Sequence, residues 1–140
     1  MLSLKNREPG KGLILLIAHW EQLSALIAPV PDNQLAAVKK SWPGFVTWIF
    51  PKSNALPAWL TGNHESIAIR MSAHQTARQL CNSQPIVSTS ANISGYPPAR
   101  THQDLITQFP EGIKAVAKGD LGGADKPSAI FDVLTSRQLR

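Results

Sequence analysis

Short apolar runs bounded by turn residues are the feature that most constrains the fold of this chain. The run LILLI at 13–17 follows a turn with two glycines, and residues 45–50, rich in β-branched and aromatic side chains, follow a Pro-Gly turn. Both patterns are typical of strands. We predict six strands on this basis: 13–17, 45–50, 66–70, 85–90, 115–117 and 129–133.

Helical patterns separate most of these runs. Apolar spacing, capping residues and the position of Pro9 predict five helices: residues 1 to about 5–7, 20–27, 32–40, 72–81 with a Ser72/Gln75 capping box, and 101–108 capped by Thr101. Alternation of strands and helices predicts the α/β class. The short, irregular connections favour a mixed sheet over a regular doubly wound one.

Length and composition set outer limits. A chain of 140 residues fits one domain with a substantial core. No stretch approaches the ~20 apolar residues of a membrane span, and the first residues lack the pattern of a secretory signal. The single Cys81 cannot form an internal disulfide and is expected in the core. We therefore expect a cytoplasmic protein without membrane association.

The charge balance favours anionic partners. The formal net charge is +5 and the pI is near 9.7, which suits nucleotides or RNA. The basic residues are spread along the chain instead of forming a tail, and this pattern favours phosphate held in a pocket over the gripping of a duplex.

Several common chemistries are excluded by motif. The four histidines have no metal-ligand spacing and the chain has one cysteine, so no metal site is expected. The Gly10–Gly12 segment lacks the other parts of a phosphate-binding P-loop. No serine lies in a G-x-S-x-G elbow, so the serines are expected to bind ligand instead of attacking it.

Two polar segments are candidates for ligand binding. The sequence VSTSANISG, 87–95, places hydroxyl and amide groups at a strand end, where such groups bind phosphate, ribose or carboxylate. The same residue types also cap turns and helices. Lys5 and Arg7 can converge on one anion if they lie in an extended segment, or they can complement the dipole of a helix that ends there.

Five segments together carry a resemblance to a known family: LKNREPGKGLILL, SWPGFVTWIFP, IAIRMSAH, PIVSTSANISGYPP and KPSAIFDV. In this order and spacing they resemble the YrdC/TsaC family of threonylcarbamoyl-AMP synthases across essentially the whole chain. The resemblance implies a twisted, mixed open sheet flanked by helices around a basic cavity. It also implies synthesis of threonylcarbamoyl-AMP from L-threonine, bicarbonate or CO2, and ATP, with release of pyrophosphate, for tRNA modification.

The resemblance also implies the site residues. Lys5 and Arg7 match the K-x-R pair that faces the nucleotide phosphates and are the predicted catalytic residues. Ser90 and Asn92 match an S-x-N element, and Arg70 matches a strand-end arginine that holds phosphate or the threonine carboxylate. The full set of predicted nucleotide- and substrate-binding residues is Lys11, Arg70, Ser88, Ser90 and Asn92.

The implied reaction agrees with the excluded motifs. A threonine carbamate that attacks the α-phosphate needs cations and hydrogen-bond donors around it, not an enzyme nucleophile. ATP is then a substrate, and Mg²⁺ is expected to be bound through ATP oxygens and water. The expected partners are L-threonine, bicarbonate or CO2, tRNA and the proteins that transfer the product.

The family pattern includes a strand and a Tyr-Pro-Thr loop before the K-x-R pair, and this chain has no counterpart before Met1. We therefore expect residues 1–140 to be a single domain, truncated at its N-terminus relative to the family, that binds ATP but forms pyrophosphate slowly. Two alternatives remain open from the sequence. One is a module that binds tRNA or double-stranded RNA without chemistry, and the other is a fragment that folds poorly.

Overall fold

A mixed five-stranded sheet organises the chain. The computed structural model describes residues 1–140, apart from the side chain of Pro9. Its strands run in the order β4-β1-β3-β2-β5. The pairs β1/β3 and β2/β5 are parallel, whereas β1/β4 and β2/β3 are antiparallel. The strands are β1 (Ile14–Ile17), β2 (Val46–Pro51), β3 (Ser66–Met71), β4 (Ile86–Ser88) and β5 (Ala129–Asp132).

Short helices connect these strands. They are α1 (Asp32–Ser41), α2 (Ala58–Thr61), α3 (Gln75–Leu80) and α4 (His102–Gln108), with 3₁₀ turns at Pro9–Lys11 and Trp20–Gln22. The predicted cap of α4 is confirmed, because the Thr101 hydroxyl accepts from the Asp104 amide at 3.0 Å and the Asp104 carboxylate accepts from the Thr101 amide at 3.0 Å.

Two predicted helices are wrong. Residues 1–7 form hydrogen-bonded turns, in which the amide of Arg7 donates to the Leu2 carbonyl at 3.0 Å. Asn6 has a φ of 48°, which lies in the left-handed region, so a right-handed helix does not continue through it. Residues 20–27 form a 3₁₀ turn and further turns, because the Gln22 side chain accepts from the amide of Ala18 at 2.7 Å and so ties the segment to the strand end.

Two smaller predictions also fail. Helix α3 begins at Gln75, and the Ser72 hydroxyl accepts from the His74 amide at 3.2 Å instead of capping a helix of its own. Residues 115–117 lie outside the sheet and are exposed. An exposed segment gains little from its β-branched side chain, because strand preference depends on packing against neighbours.

The core lies on one face of the sheet. Alternate strand residues point to this face, and Ile17, Ile69 and Phe50 are fully buried there. Val38 of α1 and Leu60 of α2 belong to the same cluster of buried side chains. Cys81 is fully buried, as predicted, and burial raises the pKa of its thiol.

The opposite face carries the polar residues. Pairing in register places Ser88 beside Ile14, and Ile14 beside Ala68. Two residues further along β1, and therefore on the same face, Leu16 pairs with Arg70. These side chains point away from the core and are half-buried, so this face is available to position a site.

Candidate functional site

Lys5 fastens the start of the chain to the loop that follows β4. Its side chain is buried, and its Nζ donates hydrogen bonds to the backbone carbonyls of Ser90 and Asn92. In return, the amide of Ser94 donates to the Lys5 carbonyl at 2.8 Å. An ammonium group has three N–H donors, so two serve the loop and one is left for a ligand.

Arg7 supplies a second cation close to Lys5. One Nη of its guanidinium donates to the Gly12 carbonyl at 3.0 Å, and its Nε is buried without a hydrogen-bond partner. Burial, and to a smaller degree the charge of Arg7, lowers the pKa of Lys5 below that of an ordinary lysine. Among the described side chains, neither cation forms an ion pair with a carboxylate. An anionic ligand would relieve both the repulsion and the unmet donor.

Hydroxyl and amide groups lie at the same end of the sheet. Ser88 pairs with Ile14, two residues beyond the Gly12 carbonyl that holds Arg7. Ser90 is exposed. The side-chain Nδ2 of Asn92 donates within its own loop, to the Tyr96 carbonyl at 2.7 Å, and the side-chain Oδ1 is buried without a partner. The Asn92 amide nitrogen therefore shapes the loop, and only its oxygen remains for a further contact.

Arg70 lies on the same face of the sheet as Ser88. The two residues are two strands and two residues apart, which places their Cα atoms roughly 12 Å from each other. The Arg70 Nε donates to the Gly44 carbonyl at 2.9 Å, and its guanidinium lies 4.4 Å from the centre of the Phe45 ring. Partial burial lowers the pKa of this group. Its position suits a ligand that extends across the sheet from Lys5.

Lys11 lies apart from these groups. It is in the first 3₁₀ turn, is exposed, and pairs with Glu8 at 3.1 Å. The structure thus brings Lys5 together with the loop of Ser90 and Asn92, but it leaves Lys11 at the surface. Its predicted role at the nucleotide remains a prediction.

A cavity of about 460 Å³ borders this loop. Ala91 lies between the two carbonyls that bind Lys5 and also lines the cavity, together with the basic residues Arg100 and Lys118 and the apolar residues Leu105 and Val116. Arg100 was not among the site residues predicted from the sequence. The signal that could have found it is its place two residues after the Pro-Pro pair that ends the polar loop.

The described residues provide neither a cluster of metal ligands nor a membrane-spanning helix. Within the described residues, no group of three or more His, Cys, Asp or Glu side chains is arranged to hold a metal ion. In the same part of the chain, no helix is both long enough and apolar enough to cross a membrane.

These features define the class of protein. Two adjacent cations without a carboxylate, hydroxyl and amide groups at a strand end, and a partly apolar cavity beside them suit a phosphate-bearing ligand with an organic ring. The class that these features indicate is an α/β protein with a site for a phosphate-bearing ligand.

Comparison with known proteins identifies the family. The family profile named Sua5/YciO/YrdC and described as telomere recombination matches residues 1–140, so the chain belongs to this family. It is 42% identical over 144 aligned residues to a threonylcarbamoyl-AMP synthase of Vibrio parahaemolyticus, and 45% identical to that of Methylococcus capsulatus. The alignments cover 100% of this chain and 78% and 76% of those proteins.

Solved structures agree with the fold. A crystal structure of P. abyssi Sua5 complexed with L-threonine matches with a TM-score of 0.88 and 31% identity, covering 98% of this chain and 41% of that one. These comparisons confirm the predicted family, the α/β fold with a mixed open sheet, and the enzyme class, that of the threonylcarbamoyl-AMP synthases.

Proposed function

We propose that this chain forms threonylcarbamoyl-AMP, and that its nucleotide substrate is ATP bound by Lys5, Arg7 and the Ser88–Asn92 segment. The observation that carries the proposal is the pair of neighbouring cations, Lys5 and Arg7, which have spare donors and no carboxylate partner. A triphosphate supplies the missing negative charge. The relatives' shared name specifies an adenylate product, which implies ATP as the substrate.

The ligand can be placed by chemistry. The phosphates lie at Lys5 and Arg7, with Ser88 and Ser90 as hydroxyl donors. The nucleoside enters the adjoining cavity between Ala91 and Arg100, whose volume of about 460 Å³ and partly apolar wall suit a base and a ribose. The proposal thus assigns the phosphates and the nucleoside to opposite sides of one loop.

Threonine is assigned to the sheet face near Arg70. The P. abyssi Sua5 structure contains L-threonine, which supports this amino acid as a substrate of the family. A guanidinium recognises a carboxylate through two parallel hydrogen bonds, and the Arg70 Nη atoms remain for this purpose while Nε binds Gly44. Lys11 is assigned a supporting contact at the phosphates, and the free Oδ1 of Asn92 is assigned to accept from a ribose hydroxyl.

The reaction then needs positioning and charge stabilisation. The threonine amine adds to CO2 derived from bicarbonate and loses a proton, which gives a carbamate. A carbamate oxygen attacks the α-phosphorus, the bond from that phosphorus to the bridging oxygen breaks, and pyrophosphate leaves. Lys5 and Arg7 offset the charge that builds on the phosphates, and holding two anions in line supplies several kcal/mol, up to about 7–11 kcal/mol in well-oriented cases.

Mg²⁺ fits this scheme only through the nucleotide. The described residues offer no carboxylate cluster that would hold the ion by themselves. An Mg²⁺ that enters with ATP would be held by phosphate oxygens and water. The protein then binds the phosphates and holds the α-phosphorus in line with the attacking carbamate oxygen.

The remaining elements of the proposal concern the wider setting. Residues 1–140 act as one domain, since a single sheet and one core run through them. The product passes to proteins that modify tRNA, and a cytoplasmic location, where tRNA and ATP meet, is part of the same proposal.

Pyrophosphate release tests the proposed function. The purified chain is incubated with ATP, L-threonine and bicarbonate, and each substrate is left out in turn. We expect pyrophosphate to appear only with all three, and mass spectrometry to detect threonylcarbamoyl-AMP. Pyrophosphate release that does not depend on threonine and bicarbonate would contradict this reaction, and tRNA binding without any release would favour the RNA-binding alternative.

A further inference from the structure

The side chain of Gln108 closes the loop that follows the S-x-N element. Its Oε1 accepts from the amide of Ile93 at 3.1 Å, and its Nε2 donates to the Pro97 carbonyl at 2.9 Å. A carboxamide carries both an acceptor and a donor, so one side chain satisfies an N–H and a C=O at the two ends of the same turn.

Two other contacts also hold this loop: the amide of Ser94 donates to the Lys5 carbonyl at 2.8 Å, and the Asn92 Nδ2 donates to the Tyr96 carbonyl at 2.7 Å. Residues 93–97 belong to no strand or helix, and Ser94, Gly95 and Tyr96 are exposed. Within the turn, the amide of Tyr96 donates to the Ile93 carbonyl at 3.0 Å. Exposed segments without regular hydrogen bonding are free to move unless side chains tie them down.

Gln108 itself sits on a firm base. It is the last residue of α4, whose first turn is closed by the Thr101 cap. The next residue, Phe109, is buried, and its ring lies 5.8 Å below the Lys5 ammonium. The C-terminal end of α4 therefore packs, through Phe109, against the same Lys5 ammonium that binds the loop carbonyls.

We propose that Gln108 is a positioning residue of the nucleotide site, which with Lys5 holds the Ser90–Asn92 segment from two sides. Ile93 follows Asn92 directly, so the bond to Gln108 fixes the chain immediately after the carbonyls that bind Lys5. This inference rests on the proposed function, because it assumes that the segment contacts ATP. Gln108 does not contact the ligand in this scheme.

Loss of Gln108 would then act through the loop. When a binding-competent conformation is only partly populated, the apparent dissociation constant rises in proportion. Removal of two hydrogen bonds from a small loop is enough to change that population roughly tenfold. The KM for ATP would rise by a similar factor, while kcat at saturating ATP would change much less.

Calorimetric titration with ATP tests the inference in wild type, Gln108→Ala, Gln108→Glu and Gln103→Ala. Gln103 lies exposed on the same helix, and its side chain makes no hydrogen bond that the structure records, so it is the matched control. We expect roughly tenfold weaker ATP binding for Gln108→Ala. Gln108→Glu keeps the acceptor for Ile93 but turns a carboxylate oxygen towards the Pro97 carbonyl and adds negative charge near the proposed phosphates, so ATP binding at least as weak as that of Gln108→Ala is expected.

A thermal melt of each variant separates positioning from general stability. A folded Gln108→Ala with wild-type ATP affinity overturns the inference, as does a loss that Gln103→Ala shares. If Gln108→Ala does not fold, the same comparison is made with Gln108→Glu. Failure of wild type itself to bind ATP overturns the proposed function and, with it, this inference.

Discussion

Replacement of Arg7 by alanine is expected to weaken ATP binding by about 1.5–3 kcal/mol, the range for hydrogen bonds to charged groups. The structure supports this range because the Nε of Arg7 is buried without a partner, whereas one Nη already serves Gly12. The Nε–H of Arg7 is therefore free to donate to a ligand. The loss corresponds to a dissociation constant roughly 10- to 150-fold higher.

The same change should leave the free protein nearly as stable as before. Alanine removes the bond to Gly12, but it also removes the positive charge that lowers the pKa of Lys5. These effects oppose each other. Arg7→Lys keeps the charge and loses the planar fork, so its ATP affinity should lie between those of wild type and Arg7→Ala.

Isothermal titration calorimetry at fixed ionic strength measures the change, with Lys39→Ala as the control. Lys39 is an exposed lysine in the last turn of α1. This helix packs against the core face of the sheet through Val38, so it lies on the opposite face from the candidate site. Removal of Lys39 changes the net charge by the same amount. Equal affinities of wild type and Arg7→Ala, or equal losses in Arg7→Ala and Lys39→Ala, would refute the assignment of Arg7 to the phosphates.

Two further predictions concern pH and helix capping. ATP affinity should fall as the pH rises through the lowered pKa of Lys5, because the ammonium form binds phosphate, and Lys5→Arg should abolish that fall. Between the lowered pKa of folded Lys5 and its ordinary pKa in the unfolded chain, the free protein should become more stable as the pH rises, because only the unfolded chain still binds the proton there. Urea titrations at several pH values measure the free energy of unfolding, and a free energy that does not change with pH would contradict this prediction. Thr101→Ala should lower the free energy of unfolding by about 1 kcal/mol through loss of the α4 cap. Thr107→Ala, in the last turn of the same helix, is the control, and an equal loss in both would argue against the cap.

Strands were the most predictable part of the fold. Four predicted runs match β1, β2, β3 and β5 to within one residue at each end, and 85–90 contains the shorter β4. Continuous apolar runs between turn residues need little knowledge of the rest of the chain, because almost any sheet buries them. The strand predicted at 115–117 is wrong, because these residues are exposed and no sheet buries them.

Helical spacing was less reliable near the strands. Leu23 and Leu26 lie in the core as their spacing suggested, yet the segment that carries them is built of turns. Apolar residues three apart reach the same face from either structure. The Gln22 side chain, which bonds to the amides of Ala18 and His19, decided in favour of the turn.

The candidate site divides along the same line. The sequence by itself determined the residue types, the polar strand end and the Thr101 cap, because each depends on neighbours a few residues away. It also determined the resemblance that singled out Lys5 and Arg7, because the order of five segments along the chain can be read without the fold. Only the tertiary structure decided that Lys5 reaches Ser90 and Asn92, which are 85 and 87 residues distant, and that Gln108 closes the loop beyond them. Strand order and long-range hydrogen bonds follow from how the whole core packs, and no local pattern specifies them.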